Sequence, residues 1–562
     1  MRAQHLLAPA LALVAALAAE RALGYAIEVH KDFYDLAFGQ AAAGKTVAPP
    51  GPADLAAFRR FVWERGAATS AEFRRRWPTA ASFDEAAFKE LLALNPGKSV
   101  VGIDRVPADR PTDVRTVVRE GSVDPDNDDR NQDRLFVQGG RVVLDPFGRA
   151  VPYDPRTTWF GGLTGVPSQF DAHGATLRTG EKGGGLLTAL RHPEHFARPP
   201  VALGSAPEFS QTYTDLGLLA RLRGGPGSEW LALTFGGNTL HGLEDLGNQI
   251  HCTVLGIPEF FLDAKKVHIK RKLKHLLRGR EDPAAGFGSP ASLTTAQVNA
   301  AMALIKQGRV DEVDPGVRFA LGHEPKGQPT DVELGIHIIG NHHRLLEDFV
   351  ERQTIAAMRS MAAGRPQEVP AHIRAVLERA QGGDPAFEAR CRAALAAAGL
   401  GRDPKGATEF ARVLAEVMVE HSAPEAAPIY RAIRRISLPG LKGEQVYDAE
   451  LGHDPMQFVT ATRGKDVDTI WELSGRAFAR VVTVLRLWDE QFLDHTDDLA
   501  PGSPEALARA DVIVERLVGR QLAYLDEAAR RRDEYLAEKR QEHAEATAPR
   551  RGLIDRLRAR FR

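Results

Sequence analysis

Two short segments hold the densest set of metal-ligating side chains in the chain. The first reads Leu240-His241-Gly242-Leu243-Glu244-Asp245-Leu246-Gly247-Asn248-Gln249-Ile250-His251. The second reads Gly340-Asn341-His342-His343-Arg344-Leu345-Leu346-Glu347-Asp348-Phe349. His241 and Asp245 stand four apart, as do His343 and Glu347. On a helix, that spacing puts both side chains of a pair on one face. An imidazole nitrogen and a carboxylate oxygen presented together can chelate one divalent ion. His251 lies ten residues beyond His241. In a continuous helix that is roughly 15 Å along the axis and about 80° around it, so His251 would serve a neighbouring ion. Together with His343 and Glu347 it would supply three protein ligands and leave a position open for water, as a catalytic zinc requires.

These ligands need helices beneath them, and the sequence predicts an all-α chain. Apolar residues recur three and four apart over residues 54–63, 81–94, 209–222, 230–251, 336–359 and 504–545. Alternating strand patterns are nearly absent, and residues 141–144 are too short a run to build a sheet. Residues 121–207 and 279–293 are rich in Gly, Pro and Asp and read as loops. Of the 562 residues, 43% are hydrophobic and 26% charged, which excludes a disordered chain. Lys+Arg number 73 against 74 Asp+Glu, for a net charge of -1. That balance argues against a chain held to nucleic acid by overall positive charge. Cys252 and Cys391 are the two cysteines, so no disulfide framework holds the fold.

The order His-x3-Asp-x5-His followed by His-x3-Glu resembles the zinc-dependent phospholipase C family, which shares its fold with the S1/P1-type nucleases. The resemblance implies an all-helical domain holding up to three zinc ions in a cleft. It matches His241 and Asp245 to ligands of a first zinc, with Asp245 bridging to a third. His251, His343 and Glu347 match the ligands of the second. The family also uses its mature N-terminal residue, through amine and carbonyl, with a histidine shortly after it. Cleavage after Gly24 would make Tyr25 that residue and put His30 five positions on, the spacing of the nuclease branch. The family's usual residue there is tryptophan, so Tyr25 is a departure. Upstream, Glu120-Gly121-Ser122-Val123-Asp124-Pro125-Asp126 resembles the family's Gly-x3-Pro-Asp turn. That favours Asp126 over Asp124 as a ligand of the first zinc and as the carboxylate that orients the attacking water. His195, in Glu194-His195-Phe196, resembles the His-Phe step of the remaining ligand, with His192 and His173 as alternatives. The resemblance covers roughly residues 25–351. It departs from the family at Ile250, where proline is usual, and in the long interval from His251 to His343.

The expected organisation is a signal peptide over residues 1–24 and a phospholipase C-like catalytic domain over 25–360, with insertions at about 127–207 and 260–335. A helical region of unassigned role follows over 361–500, then a charged helix and a basic end over 501–562. Arg2 and the apolar run over residues 6–19 suit a secretory signal and are too short to span a bilayer; an uncleaved anchor is the alternative. Residues 550–562 hold six arginines and one aspartate, with Leu553, Ile554, Leu557 and Phe561 on one face. Such a helix can touch anionic lipid, although a solvated terminus would look the same. Gly39-Gln40-Ala41-Ala42-Ala43-Gly44-Lys45-Thr46 matches the phosphate-loop pattern in letters. It lacks the context, because helical residues precede it and a proline-rich stretch follows. The expected activity is that of an exported zinc-dependent phosphodiesterase using metal-activated water on a phospholipid or other phosphodiester. A single-strand nuclease is the alternative on the same fold. A non-catalytic, membrane-associated binding protein with a partial metal site is the alternative outside enzymes.

Overall fold

Among the described residues, helix covers most of the stretches where the three-and-four apolar spacing recurs, and the strands are two residues long. The computed structural model describes residues 27–39, 45–92, 94, 111–128, 135–151, 153, 206–252, 293–306, 309, 312–320, 346, 349–350, 352–358, 360–361, 365–399, 409–436 and 463–547. In chain order these give α1 (Ile27–Phe38), β1 (Thr46–Val47), α2 (Pro52–Thr69), α3 (Ala71–Arg76), α4 (Glu85–Leu91), β2 (Thr112–Asp113) and α5 (Val114–Asp128). There follow β3 (Val137–Gln138), β4 (Arg141–Val142), α6 (Ala206–Arg223), α7 (Ser228–Asp245), β5 (Leu293–Thr294), α8 (Thr295–Lys306) and α9 (Pro315–Ala320). The last five are α10 (Ala371–Gly382), α11 (Pro385–Ala397), α12 (Phe410–Ile436), α13 (Lys465–Asp494) and α14 (Pro504–Thr547). The all-α expectation holds at this level. β1 pairs with β2, and β3, β4 and β5 make a small antiparallel sheet. Residues 141–142 therefore do join a sheet, against expectation. The third strand comes from Leu293–Thr294, and a pattern within one short segment cannot announce so distant a partner.

α6 and α7 are the innermost helices. Every residue of α6 except Arg221 and Arg223 is buried, and every residue of α7 except Glu229 and Leu233. A helix enclosed on all sides lies at the centre of its domain. One hydrophobic cluster runs from Val29 to Ala528, so the helices after residue 360 share a core with those before it. They also reach into it with polar groups. Trp488 Nε1 of α13 donates to Thr214 Oγ1 at 3.0 Å, and Gln521 Nε2 of α14 donates to Thr212 Oγ1 at 2.8 Å. A second, smaller cluster including Leu135, Val142, Leu293 and Val317 fastens the sheet to α8 and α9.

Two sequence expectations are corrected around α7. Residues 121–128 are helical rather than loop, with Pro125 inside α5. Proline has no N–H for the carbonyl four residues back, which is that of Gly121. Asn238 Nδ2 of α7 donates to that carbonyl instead, at 3.3 Å. The two helices cross closely because Gly237 has no side chain. A Cβ there would stand 2.5 Å from the Val118 carbonyl oxygen and 2.7 Å from the Gly121 carbonyl carbon. The second correction is that α7 stops at Asp245 instead of running to His251. Gly247 and Asn248, both poor helix formers, turn the chain by donating to the carbonyls of Glu244 and Asp245 at 2.9 Å. A 3-10 turn, Gln249–Cys252, follows.

No helix among the described residues is long and apolar enough to cross a membrane. The expected signal peptide and the basic amphipathic end lie outside the described residues. At the phosphate-loop look-alike, a helix (α1) precedes and a strand (β1) follows, the reverse of a phosphate loop.

Candidate metal centre

α1 carries His30, and three other helices hold it in place. Phe33 packs edge-on against Phe478 of α13 with ring centroids 5.0 Å apart. Arg486 Nε of α13 donates to the Ala37 carbonyl at 2.9 Å, capping the last turn of α1 with a cation. From α5, Arg115 and Arg119 pair with Asp35, and Glu120 takes Lys31 Nζ at 2.7 Å. From α7, Glu244 Oε2 lies 2.6 Å from His30 Nδ1. The register of α1 is thereby set, and His30 is delivered to the last turn of α7.

There it meets His241 and Asp245. The two imidazoles stack with centroids 4.3 Å apart and planes inclined at 30°. His241 Nε2 lies 3.1 Å from Asp245 Oδ2, and His30 Nε2 lies 3.7 Å from Asp245 Oδ1. All three residues are fully buried. Among the described residues they form the group whose ligand atoms all lie within 4.8 Å of one another.

The tautomers follow from the outer partners. His241 Nδ1 lies 2.7 Å from the Ser122 carbonyl oxygen, which can only accept, so Nδ1 carries the hydrogen. Glu244 likewise accepts from His30 Nδ1. Both rings therefore turn Nε2, the nitrogen left to face a metal, toward one carboxylate. Two imidazole acceptors facing a carboxylate are the donor set of a zinc-like divalent ion, and anchoring of the outer nitrogens is the usual support of such ligands. The residues present fit the metal.

The side chains of the other expected ligands fall outside the described residues. Asp126 falls on the last turn of α5, and His251 on the 3-10 turn after α7, but both side chains are outside the described residues. Tyr25, His195, His343 and Glu347 are wholly outside them. The turn that bears His251 is tied to the C-terminal helices. Gln249 Nε2 donates to the Leu473 carbonyl at 3.0 Å and to Glu425 Oε2 at 3.2 Å, and Glu425 pairs with the buried Arg480. Cys252 stands outside the group of His30, His241 and Asp245. Its Sγ donates to the Leu246 carbonyl at 3.1 Å, and burial pushes its thiol far above the usual range, so it stays neutral.

Sequence reasoning passed over two participants. Glu244 sits inside the quoted motif, and the signal was an acidic residue directly before Asp245 in an otherwise apolar helix. The Ser122 carbonyl is backbone and has no signature in residue types. Comparison with known protein families, curated proteins and solved structures returns no match for this chain.

Proposed function

We propose that the chain is a zinc-dependent phosphodiester hydrolase of the phospholipase C type, with a fold similar to that of the phospholipase C and S1/P1 nuclease family. The observation that carries this reading is the convergence of His30, His241 and Asp245. His30 lies 211 residues before His241, and the resemblance alone selected it as a ligand, beside the mature N-terminal residue. Their ligand atoms stand within 4.8 Å of one another.

His30, His241 and Asp245 would hold the ion, and Asp126, on α5, is proposed as a further ligand. A zinc ion bound there supplies a water of lowered pKa and positive charge for a phosphate oxygen. The chain's own contribution is preorganisation. The Ser122 carbonyl and Glu244 keep both rings from rotating, and the stack of His30 on His241 fixes their separation. Full burial of the three side chains keeps bulk water from competing at their nitrogens and strengthens electrostatic interactions among them. Export is part of the same proposal and rests on the apolar run over residues 6–19. Cleavage after Gly24 would leave two residues ahead of α1, close in sequence to His30.

The full burial of all three ligands favours one competing reading, a structural metal. The test separates the two. Zinc-loaded protein is assayed on mixed phospholipid vesicles, on single-stranded DNA and RNA, and on a soluble phosphodiester ester. Turnover that a chelator abolishes and zinc restores is expected, on lipid before nucleic acid. Bound zinc without turnover on any of these substrates would leave the structural metal, and turnover on nucleic acid alone would make the chain a nuclease.

A further inference from the structure

The two histidines of the centre are anchored differently. His241 gives its Nδ1 hydrogen to a neutral peptide carbonyl, that of Ser122, at 2.7 Å. His30 gives its own to a carboxylate, Glu244 Oε2, at 2.6 Å, with both side chains fully buried. Glu244 and Asp245 are consecutive at the end of α7, so their side chains leave the helix about 100° apart. The His30 ring lies between them: Glu244 faces Nδ1, and Asp245 Oδ1 faces Nε2 at 3.7 Å. One pair of adjacent residues thus sets which nitrogen of His30 carries hydrogen and where the other one points.

We propose that Glu244 is the positioning residue of the centre: its carboxylate locks His30 into the Nδ1–H tautomer and turns Nε2 into a metal ligand beside Asp245. A carboxylate behind an imidazole makes it a stronger donor than a peptide carbonyl does, because negative charge on the outer partner favours electron donation through the ring. Glu244 also ties α1 to α7 at the site itself. Other ties of α1 come from α5 and α13, at Lys31, Asp35 and Ala37. Removing the carboxylate therefore leaves α1 docked and frees the His30 ring. That the inner ligand is zinc rests on the hydrolase reading; the tautomer does not.

The test uses the full chain with Glu244→Ala and Glu244→Gln, and two readouts. Nitrogen-15 NMR of labelled histidines in the metal-free protein, with His30→Asn to assign the signal, reports the tautomer directly. Competition with a chromophoric chelator reports zinc affinity. The wild type should show the Nδ1 hydrogen of His30 fixed toward Glu244. Glu244→Ala should give a mixture of tautomers and weaken zinc binding by about 10–100-fold, the usual cost of losing such a partner. Glu244→Gln is nearly isosteric, so it should fold like the wild type and fall between the two in affinity, because its amide can still accept but carries no charge. Far-UV circular dichroism checks that both variants are folded. An unchanged His30 tautomer and unchanged zinc affinity in both variants would overturn the proposal. A wild type that binds no zinc would overturn the hydrolase reading, while the tautomer of the metal-free protein would still decide the role of Glu244.

Discussion

Two polar clusters lie on the same pair of inner helices, and they are closed in different ways. Where α6 meets α12 and α14, the guanidinium of Arg520 sits among carboxylates. It pairs with Asp215, reaches Glu409 Oε1 at 2.8 Å and Glu208 Oε2 at 3.4 Å, and Arg412 binds Glu409 and Glu416 beside it. Burial pushes the Asp215 carboxyl up to about 6, with Arg520 pulling against it, and raises Glu208 as well. For Glu409, burial is outweighed by Arg412 and Arg520, which hold it below its ordinary value. At the end of α7, by contrast, two imidazoles turn Nε2 toward a single carboxylate. In the first cluster the cation is covalently part of the chain, and the arrangement locks helices together. In the second the inward-facing groups are those that bind a cation from solution. Both places gather carboxylates in the interior, so what separates a structural knot from a candidate site is whether the chain itself supplies the cation.

That contrast can be broken from either side. Asp245→Asn removes the carboxylate both histidines face, so we expect zinc and hydrolysis to be lost together. The stabilisation that zinc gives the wild type, about 4 kcal/mol at a thousandfold excess over its dissociation constant, should vanish from thermal melts of the variant. Arg520→Met should do the reverse. It leaves Asp215, Glu208 and Glu409 buried with one cation fewer and should cost about 3–5 kcal/mol in urea unfolding, while zinc bound per folded molecule stays at the wild-type level.

The Asp215 carboxyl gives the knot a pH signature. Its folded value lies above the unfolded one, so its contribution is fully present below about pH 3.9 and is lost as pH rises through about 6. Over that window unfolding free energy should fall by about 2–3 kcal/mol from this group, and Asp215→Asn should flatten the slope. The smallest effect is expected at the crossing of α5 and α7. Gly237→Ala forces its new methyl against the Val118 carbonyl and should cost about 1–3 kcal/mol. Because the same crossing brings the Ser122 carbonyl to His241, zinc affinity should weaken along with stability, joining two properties that the other variants keep apart.

The sequence carried the local part of this arrangement. His241 and Asp245 share a helix face because four residues make about one turn, and that needs no knowledge of the fold. The inner helices α6 and α7 were equally legible, since their apolar residues recur at the helical period. His30 was found by resemblance alone, because nothing local distinguishes it from an ordinary helix histidine. What could not be read depends on contacts across the chain. The loop expected around Pro125 is helical because Asn238, more than a hundred residues away, takes the carbonyl that the proline leaves open. The helix expected through His251 breaks at Gly247 and Asn248, where weak helix propensity decides once the chain must turn toward Glu425 and Leu473. The role of residues after 360 had no motif to show it. It became visible only through Trp488, Gln521 and Arg486, each reaching back to a helix near the site.

Elemental mass spectrometry of the purified full chain shows whether the end of α7 binds metal. Wild type and Asp245→Asn would be loaded with zinc, dialysed against metal-free buffer and measured side by side. About one zinc ion or more per chain should remain on the wild type, with at least about one ion fewer on Asp245→Asn at unchanged helix content. Equal zinc on the two proteins, or essentially none on either, would contradict metal binding there.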